Sequence, residues 1–154
     1  MALGITGCGS TSSDNGSAKP DKEIKIGATA GPHAEIVDAV AKEAAKEGIK
    51  IKVVEFSDYI TPDKALADGS LDLASYQHQP FLNNFNKQNG TNLVSIGKTV
   101  VMPMGIYSNK VHDVKDIPDG ATVAIPNDPT NGGRGLALLA KAGLIKLKDG
   151  ATYM

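Results

Sequence analysis

Residues 23–56 confine this chain to a narrow set of folds. Two stretches alternate apolar and polar residues, Glu23-Ile24-Lys25-Ile26-Gly27-Ala28-Thr29 and Lys50-Ile51-Lys52-Val53-Val54-Glu55-Phe56, and a helical run separates them. Alternation of period two marks strands, and Gly31-Pro32 stops the first and opens a helix. Ile36, Val37, Val40, Ala41, Ala44 and Ala45 recur at helical spacing, with Asp38, Lys42, Glu43 and Lys46 on the other side and Gly48 at the exit. A strand, a helix and a strand of these lengths form a βαβ unit, whose two strands run parallel. The chain is therefore read as α/β, and open parallel sheets bind ligands at the carboxyl ends of their strands.

The next residues feed that edge. Ser57-Asp58-Tyr59 leaves the second strand, and residues 61–69 read as a short helix with Thr61 as N-cap, Pro62 at the first position and Gly69 at the exit. A third strand over 71–75 runs into Tyr76-Gln77-His78-Gln79-Pro80-Phe81-Leu82, where side chains that stack and hydrogen-bond are concentrated just before a helix over 80–88. The chain has three Phe, four Tyr and no Trp, so three aromatics at one strand edge is a notable share. The bland reading is a polar strand-to-helix loop with a buried Tyr and a satisfied His. Asn89-Gly90 is a turn, and residues 93–96, 99–101 and 104–108 read as extended strands.

From Ser108 to Gly120 the chain is polar and rich in turn residues, then 121–126 reads as a new strand and Leu136, Leu139, Ala140 and Gly143 as a new helical run. The expected organisation is a first α/β lobe over 22–108, a crossover or hinge over 109–118, and the start of a second α/β lobe over 119–154. One strand and one helix cannot bury their faces alone, so that second lobe reads as truncated. Between its strand and helix lies Asn127-Asp128-Pro129-Thr130-Asn131-Gly132-Gly133-Arg134-Gly135. Asp128 suits an N-cap and Pro129 the first position, while Arg134, one turn in, can pair bidentately with a carboxylate near the positive helix end. The glycines suggest a backbone that approaches a ligand. The bland reading is a helix start with a solvated Arg. A phosphate loop is excluded, because the Gly-Lys-Ser/Thr ending is missing.

Several function classes fall away. A formal net charge of −1 lacks the basic face that a nucleic-acid partner needs. There is no apolar run long enough for a retained membrane span. His33, His78 and His112 sit in separate loops without paired ligand spacing, so no metal site is assigned, and nothing calls for a cofactor. Ser57, Asp58 and His78 fall at one sheet edge, but no Gly-x-Ser-x-Gly elbow accompanies them, and no catalytic residue is assigned.

The single cysteine excludes an internal disulfide. It lies in Ile5-Thr6-Gly7-Cys8-Gly9-Ser10, which has the form of a bacterial lipobox, with small residues before a cysteine that becomes lipidated. Only seven residues precede Cys8, with no basic start and no full apolar segment, so residues 1–8 read either as a partial lipoprotein signal or as an incidental cysteine. The polar run over 9–21 behind it favours the first, since a tether that cannot bury apolar surface stays flexible. A lipid-anchored domain at the extracytoplasmic face of the cell membrane is the expectation.

With these residues in view, the chain is similar to the NlpA family of methionine-binding lipoproteins, the substrate-binding proteins of bacterial ABC importers. The likeness is carried by Lys25-Ile26-Gly27-Ala28-Thr29 with Gly31-Pro32-His33-Ala34-Glu35, Phe56-Ser57-Asp58-Tyr59, Tyr76 through Leu82, Pro103-Met104-Gly105-Ile106-Tyr107-Ser108 and Ile125 through Arg134. The resemblance implies a two-lobed, type II periplasmic-binding-protein-like fold that closes on L-methionine or a related amino acid and delivers it to a permease and its ATPase subunit. It further implies that Arg134 holds the α-carboxylate and that Tyr59, Tyr76, His78 and Phe81 line the cleft; Asn131 is kept as a candidate ligand residue on its position before Arg134, with no role assigned by the resemblance. A methionine-containing dipeptide as ligand, and a lipid-anchored adhesin or envelope interaction module, are the alternatives.

Overall fold

The computed structural model describes residues 23–151. Cys8, the lipobox and the tether fall outside them. Among the described residues, three parallel strands form one sheet in the order β2-β1-β3, with β1 spanning Ile24–Thr29, β2 spanning Ile51–Phe56 and β3 spanning Leu73–Ser75. In register, Ile26 lies beside Val53 on one side and Leu73 on the other. Asp72 fastens the entry to β3, its carboxylate accepting from the Lys25 amide at 2.9 Å and its own amide donating to the Lys25 carbonyl at 3.0 Å.

The central strand is buried on both faces, which explains its composition. One face carries Ile26 and Ala28 against Ala34 and Val37 of helix α1 (Pro32–Lys46), with Ile24, Ile51, Val53 and Leu73 around them. On the other face Gly27 lies under Leu71 and Phe56, and a Cβ built on it would stand 2.6 Å from Leu71 Cδ1 and 3.1 Å from Phe56 Cε2. Gly27→Ala is therefore expected to cost about 1–3 kcal/mol, as overpacking of a close-packed core does. Urea unfolding checks it: the midpoint falls while the slope is unchanged.

The buried stripe of α1 departs from the one expected. Ala34 and Val37 are buried and Ala41 and Ala44 half-buried, whereas Val40 is 49% exposed and Ala45 is also exposed. A three-stranded sheet covers only a narrow face of the helix, and Val40 falls outside it.

Helix α2 (Thr61–Ala67) begins one residue earlier than expected, and Thr61 is not its cap. Asp58 does that work. Its Oδ1 accepts from the amides of Ile60 at 2.8 Å and Thr61 at 2.7 Å, an Asx-type turn that leads the chain off β2 into the helix. Helix α3 (Gln79–Asn89) starts from an extended His78 and closes on Gly90 at φ 65°. Asn86 then pins the outgoing chain, donating to the Leu93 carbonyl at 2.8 Å and accepting from the Leu93 amide at 3.0 Å.

Beyond this point the strands expected over 93–96, 99–101, 104–108 and 121–126 are not formed: among the described residues these stretches pair with no strand. Val94 and Ile96 are more than three-quarters exposed, and Val101 and Tyr107 are each 90% exposed. An extended chain becomes a strand only through hydrogen bonds to a neighbour, and among the described residues none lies alongside. A 3-10 turn at Val114–Asp116, capped by Asp113, punctuates the polar stretch. Helix α4 (Pro129–Lys141) follows and packs against α3. Among the described residues no helix is long and apolar enough to cross a membrane.

Candidate functional site

The carboxyl ends of β2 and β3 lead into the loops that carry Tyr59 and Tyr76, and α3 adds Phe81 from its first turn. The rings meet. Tyr59 and Tyr76 stack with centroids 6.2 Å apart and planes 11° from parallel. Phe81 presents an edge-to-face arrangement to both, at 6.4 Å from Tyr59 and 6.2 Å from Tyr76. His78 lies 6.4 Å from Phe81. Phe81 is buried at 6% exposure, whereas Tyr59 is 52% exposed, so the cluster has an anchored base and an open rim.

The Tyr76 hydroxyl ties the two loops together by donating to the Tyr59 carbonyl at 2.9 Å. Burial, with the neighbouring carboxyls of Asp63 and Asp58, pushes its ionisation far above the ordinary range, so it acts as a neutral donor. Sequence reasoning overlooked Asp63. This carboxyl is fully buried on α2 and accepts from Gln77 Nε2 at 2.7 Å. Burial pushes its pKa up, opposed by hydrogen bonding from Tyr76 and Gln77.

The second half of the site is the first turn of α4. Asp128 caps it as expected: Oδ1 accepts from the amides of Thr130 at 3.1 Å and Asn131 at 2.8 Å and from the Thr130 hydroxyl at 2.7 Å. Burial alone would raise the Asp128 pKa, but the hydrogen bonds from Asn131 and Thr130 outweigh it and hold the carboxyl below its usual range. Asn131 is engaged on both sides, donating to Asp128 Oδ2 at 3.1 Å and accepting from Arg134 Nη1 at 3.0 Å. Arg134 Nη2 also donates to the Met102 carbonyl at 3.3 Å. The guanidinium is thus held by a chain of contacts from Asp128 through Asn131, and by a carbonyl 32 residues upstream in sequence.

Gly132 has a structural reason of its own. A Cβ there would stand 2.9 Å from the Pro126 carbonyl oxygen, so the glycine permits close approach of the incoming chain to its own helix.

His78 joins the two halves. Its pKa is lowered by burial first and then by the positive charge of Arg134, with Asp128 opposing. A neutral imidazole near Arg134 and Asp128 places the start of α3 opposite the start of α4. Its Nε2 is buried without a hydrogen-bond partner. Ser57 and Asp58, the candidate partners of His78 in a hydrolytic site, are not joined to it: Asp58 is committed to the amides of Ile60 and Thr61. The ring cluster and Arg134 do not coincide with the surface concavity of about 390 Å³ lined by residues such as Glu23, Ala41 and Ile51. That concavity opens at the amino ends of β1 and β2, the other edge of the sheet.

Known proteins resemble this chain in sequence and in fold. The family model described as NlpA lipoprotein matches residues 24–154. The D-methionine-binding lipoprotein MetQ of Salmonella typhi is 43% identical over 156 residues, covering 99% of this chain and 55% of that protein. A solved nutrient-binding protein from Burkholderia cenocepacia, bound to methionine, superimposes with a TM-score of 0.79 at 50% identity, over 82% of this chain and 53% of that one. The crystal structure of the methionine-binding protein MetQ gives 0.76 at 45% identity, over 83% and 53%. The chain spans about half the length of the relatives it matches. These superpositions bear out the α/β, periplasmic-binding-protein-like fold class expected from the sequence. By sequence and by fold, the chain belongs to the NlpA lipoprotein family.

Proposed function

We propose that this chain binds L-methionine, or a closely related amino acid, between the ring cluster of Tyr59, Tyr76 and Phe81 and the first turn of α4. One observation carries the reading: aromatic rings at the strand ends and a restrained Arg at a helix start are brought together around His78. The chemistry fits an amino acid with an apolar, polarisable side chain. A thioether at ring edges gains about 0.3–1.5 kcal/mol. A carboxylate gains from the guanidinium fork and from the positive end of α4. The relatives named for methionine, and the Burkholderia cenocepacia structure bound to it, support the same ligand.

In this reading the protein is the substrate-binding component of an ABC importer. Cys8 carries the lipid that holds it at the extracytoplasmic face, and a permease with its ATPase receives the ligand. The stretch over 109–118 serves as one hinge strand of closure, and no covalent step takes place on the ligand. Equilibrium dialysis with labelled L-methionine, competed by D-methionine, leucine and a methionine dipeptide, tests the assignment. Displacement by methionine stereoisomers alone supports the amino-acid reading. Stronger displacement by the dipeptide transfers the site to peptides, and no retention of label rejects it.

A further inference from the structure

Asp63 is a buried titratable group that the proposed binding reading leaves unused. It is fully buried, yet only one of its two oxygens is satisfied: Oδ1 accepts from Gln77 Nε2 at 2.7 Å, while Oδ2 has no partner. On the same two planar groups Gln77 Oε1 is also buried and also without a partner. Both orphaned atoms are acceptors when Asp63 is ionised. The Tyr76 hydroxyl lies against both Asp63 and the Tyr59 carbonyl, but its one proton serves only one of them at a time, and in either case Gln77 Oε1 stays unpaired. The cluster is one proton short.

We propose that Asp63 is a positioning residue that works as a neutral carboxylic acid, accepting at Oδ1 from the Gln77 amide and donating from Oδ2 to Gln77 Oε1. That pairing gives both orphaned oxygens a partner. A single added proton does what an ionised carboxylate cannot, and a buried ionised group short of donors is the costlier arrangement. The groups facing Asp63 from β3 and its outgoing loop are the Tyr76 hydroxyl and the Gln77 amide, both uncharged. On its own side Lys64 follows it directly and Asp58 lies before the helix, and neither contributes to its shift. The upward direction of the Asp63 pKa under burial agrees with this state. The consequence is mechanical: α2 grips Gln77, the neighbour of both Tyr76 and His78, and so sets the position of the ring cluster's central loop.

The affinity part of this inference rests on the proposed methionine site; the protonation part does not. Three measurements on the full chain decide it. First, the Asp63 side-chain carboxyl carbon, followed by NMR, is expected to stay at its protonated position through neutral pH; an ionised signal there overturns the proposal. Second, Asp63→Asn copies the neutral acid, with its amide donating to Gln77 Oε1. It is expected to melt no lower than the parent at neutral pH, and a lower melting temperature overturns the proposal. The sign follows from linkage: a raised folded-state pKa stabilises below the unfolded value, and that stability is lost as pH rises through the folded pKa, whereas the amide has no such loss. Third, Asp63→Leu is expected to bind L-methionine about tenfold more weakly, with Asp63→Asn restoring it. A folded Leu variant of parental affinity removes the positioning role. If no variant and no parent binds methionine, the ligand assignment fails, while the NMR and melting results still judge the acid–amide pair.

Discussion

Arg134→Ala is expected to weaken L-methionine binding by about 2–5 kcal/mol, the range for truncating one partner of a buried, hydrogen-bonded charge pair. The guanidinium already spends bonds on Asn131 Oδ1 and the Met102 carbonyl, which orient it. A carboxylate placed against its other N–H donors gains both the fork and the end of α4. Arg134→Lys is expected to recover only part of the loss, because a point charge on a flexible stem cannot reproduce the planar fork. Calorimetric titration of the two variants measures both. A change of a few tenths of a kcal/mol in the Ala variant removes Arg134 from the site. Folding stability is expected to move little, since the side chain is only half-buried and its lost bonds are to neutral groups.

Phe81→Ala is expected to act first on folding, lowering stability by about 3–5 kcal/mol as buried Phe-to-Ala changes do. Phe81 is 6% exposed and holds edge-to-face contacts with Tyr59 and Tyr76 together. Each such ring pair adds about 0.5–1.5 kcal/mol beyond burial. The loss therefore empties the base of the cluster while leaving the Tyr76 hydroxyl bond to the Tyr59 carbonyl available. Chemical denaturation gives the stability change, and near-ultraviolet circular dichroism reports the tyrosines. A variant as stable as the parent contradicts the packing described. Phe81→Leu keeps a buried apolar side chain and is expected to fall between the two.

The boundaries that local chemistry dictates were legible in the sequence. Gly31-Pro32 and Gly48 bracket α1, Asp128-Pro129 opens α4, and Asn89-Gly90 ends α3, because each depends on φ or on a donor within a few residues. The ring cluster was legible for a related reason: its members sit at the ends of strands whose parallel order follows from the βαβ pattern.

What escaped depends on neighbours distant in sequence. Thr61 suits a cap by type, but Asp58 takes the free amides because the turn after β2 points its carboxylate at them. Val40 fits the helical period, yet the sheet beneath α1 is too narrow to cover it. Gly132 looked like part of a ligand loop, and only the path of Pro126 shows its packing role. Asp63, in Thr-Pro-Asp-Lys, reads as a solvated first-turn acid; its burial against Gln77 is a tertiary fact with no local signature. The extended stretches over 93–108 and 121–126 have strand-like composition, but a strand also needs a partner.

The proposed site is a place as much as a ligand: methionine lies between the ring cluster and Arg134. An intermolecular NMR contact map with L-methionine carrying a labelled S-methyl group reads that place without an intermediate step. Cross-peaks from that methyl to the ring protons of Tyr76 and Phe81, with the Arg134 side-chain signals shifting on the same titration, are the predicted result. Binding with methyl contacts elsewhere, or with rings and Arg134 unmoved, would contradict it.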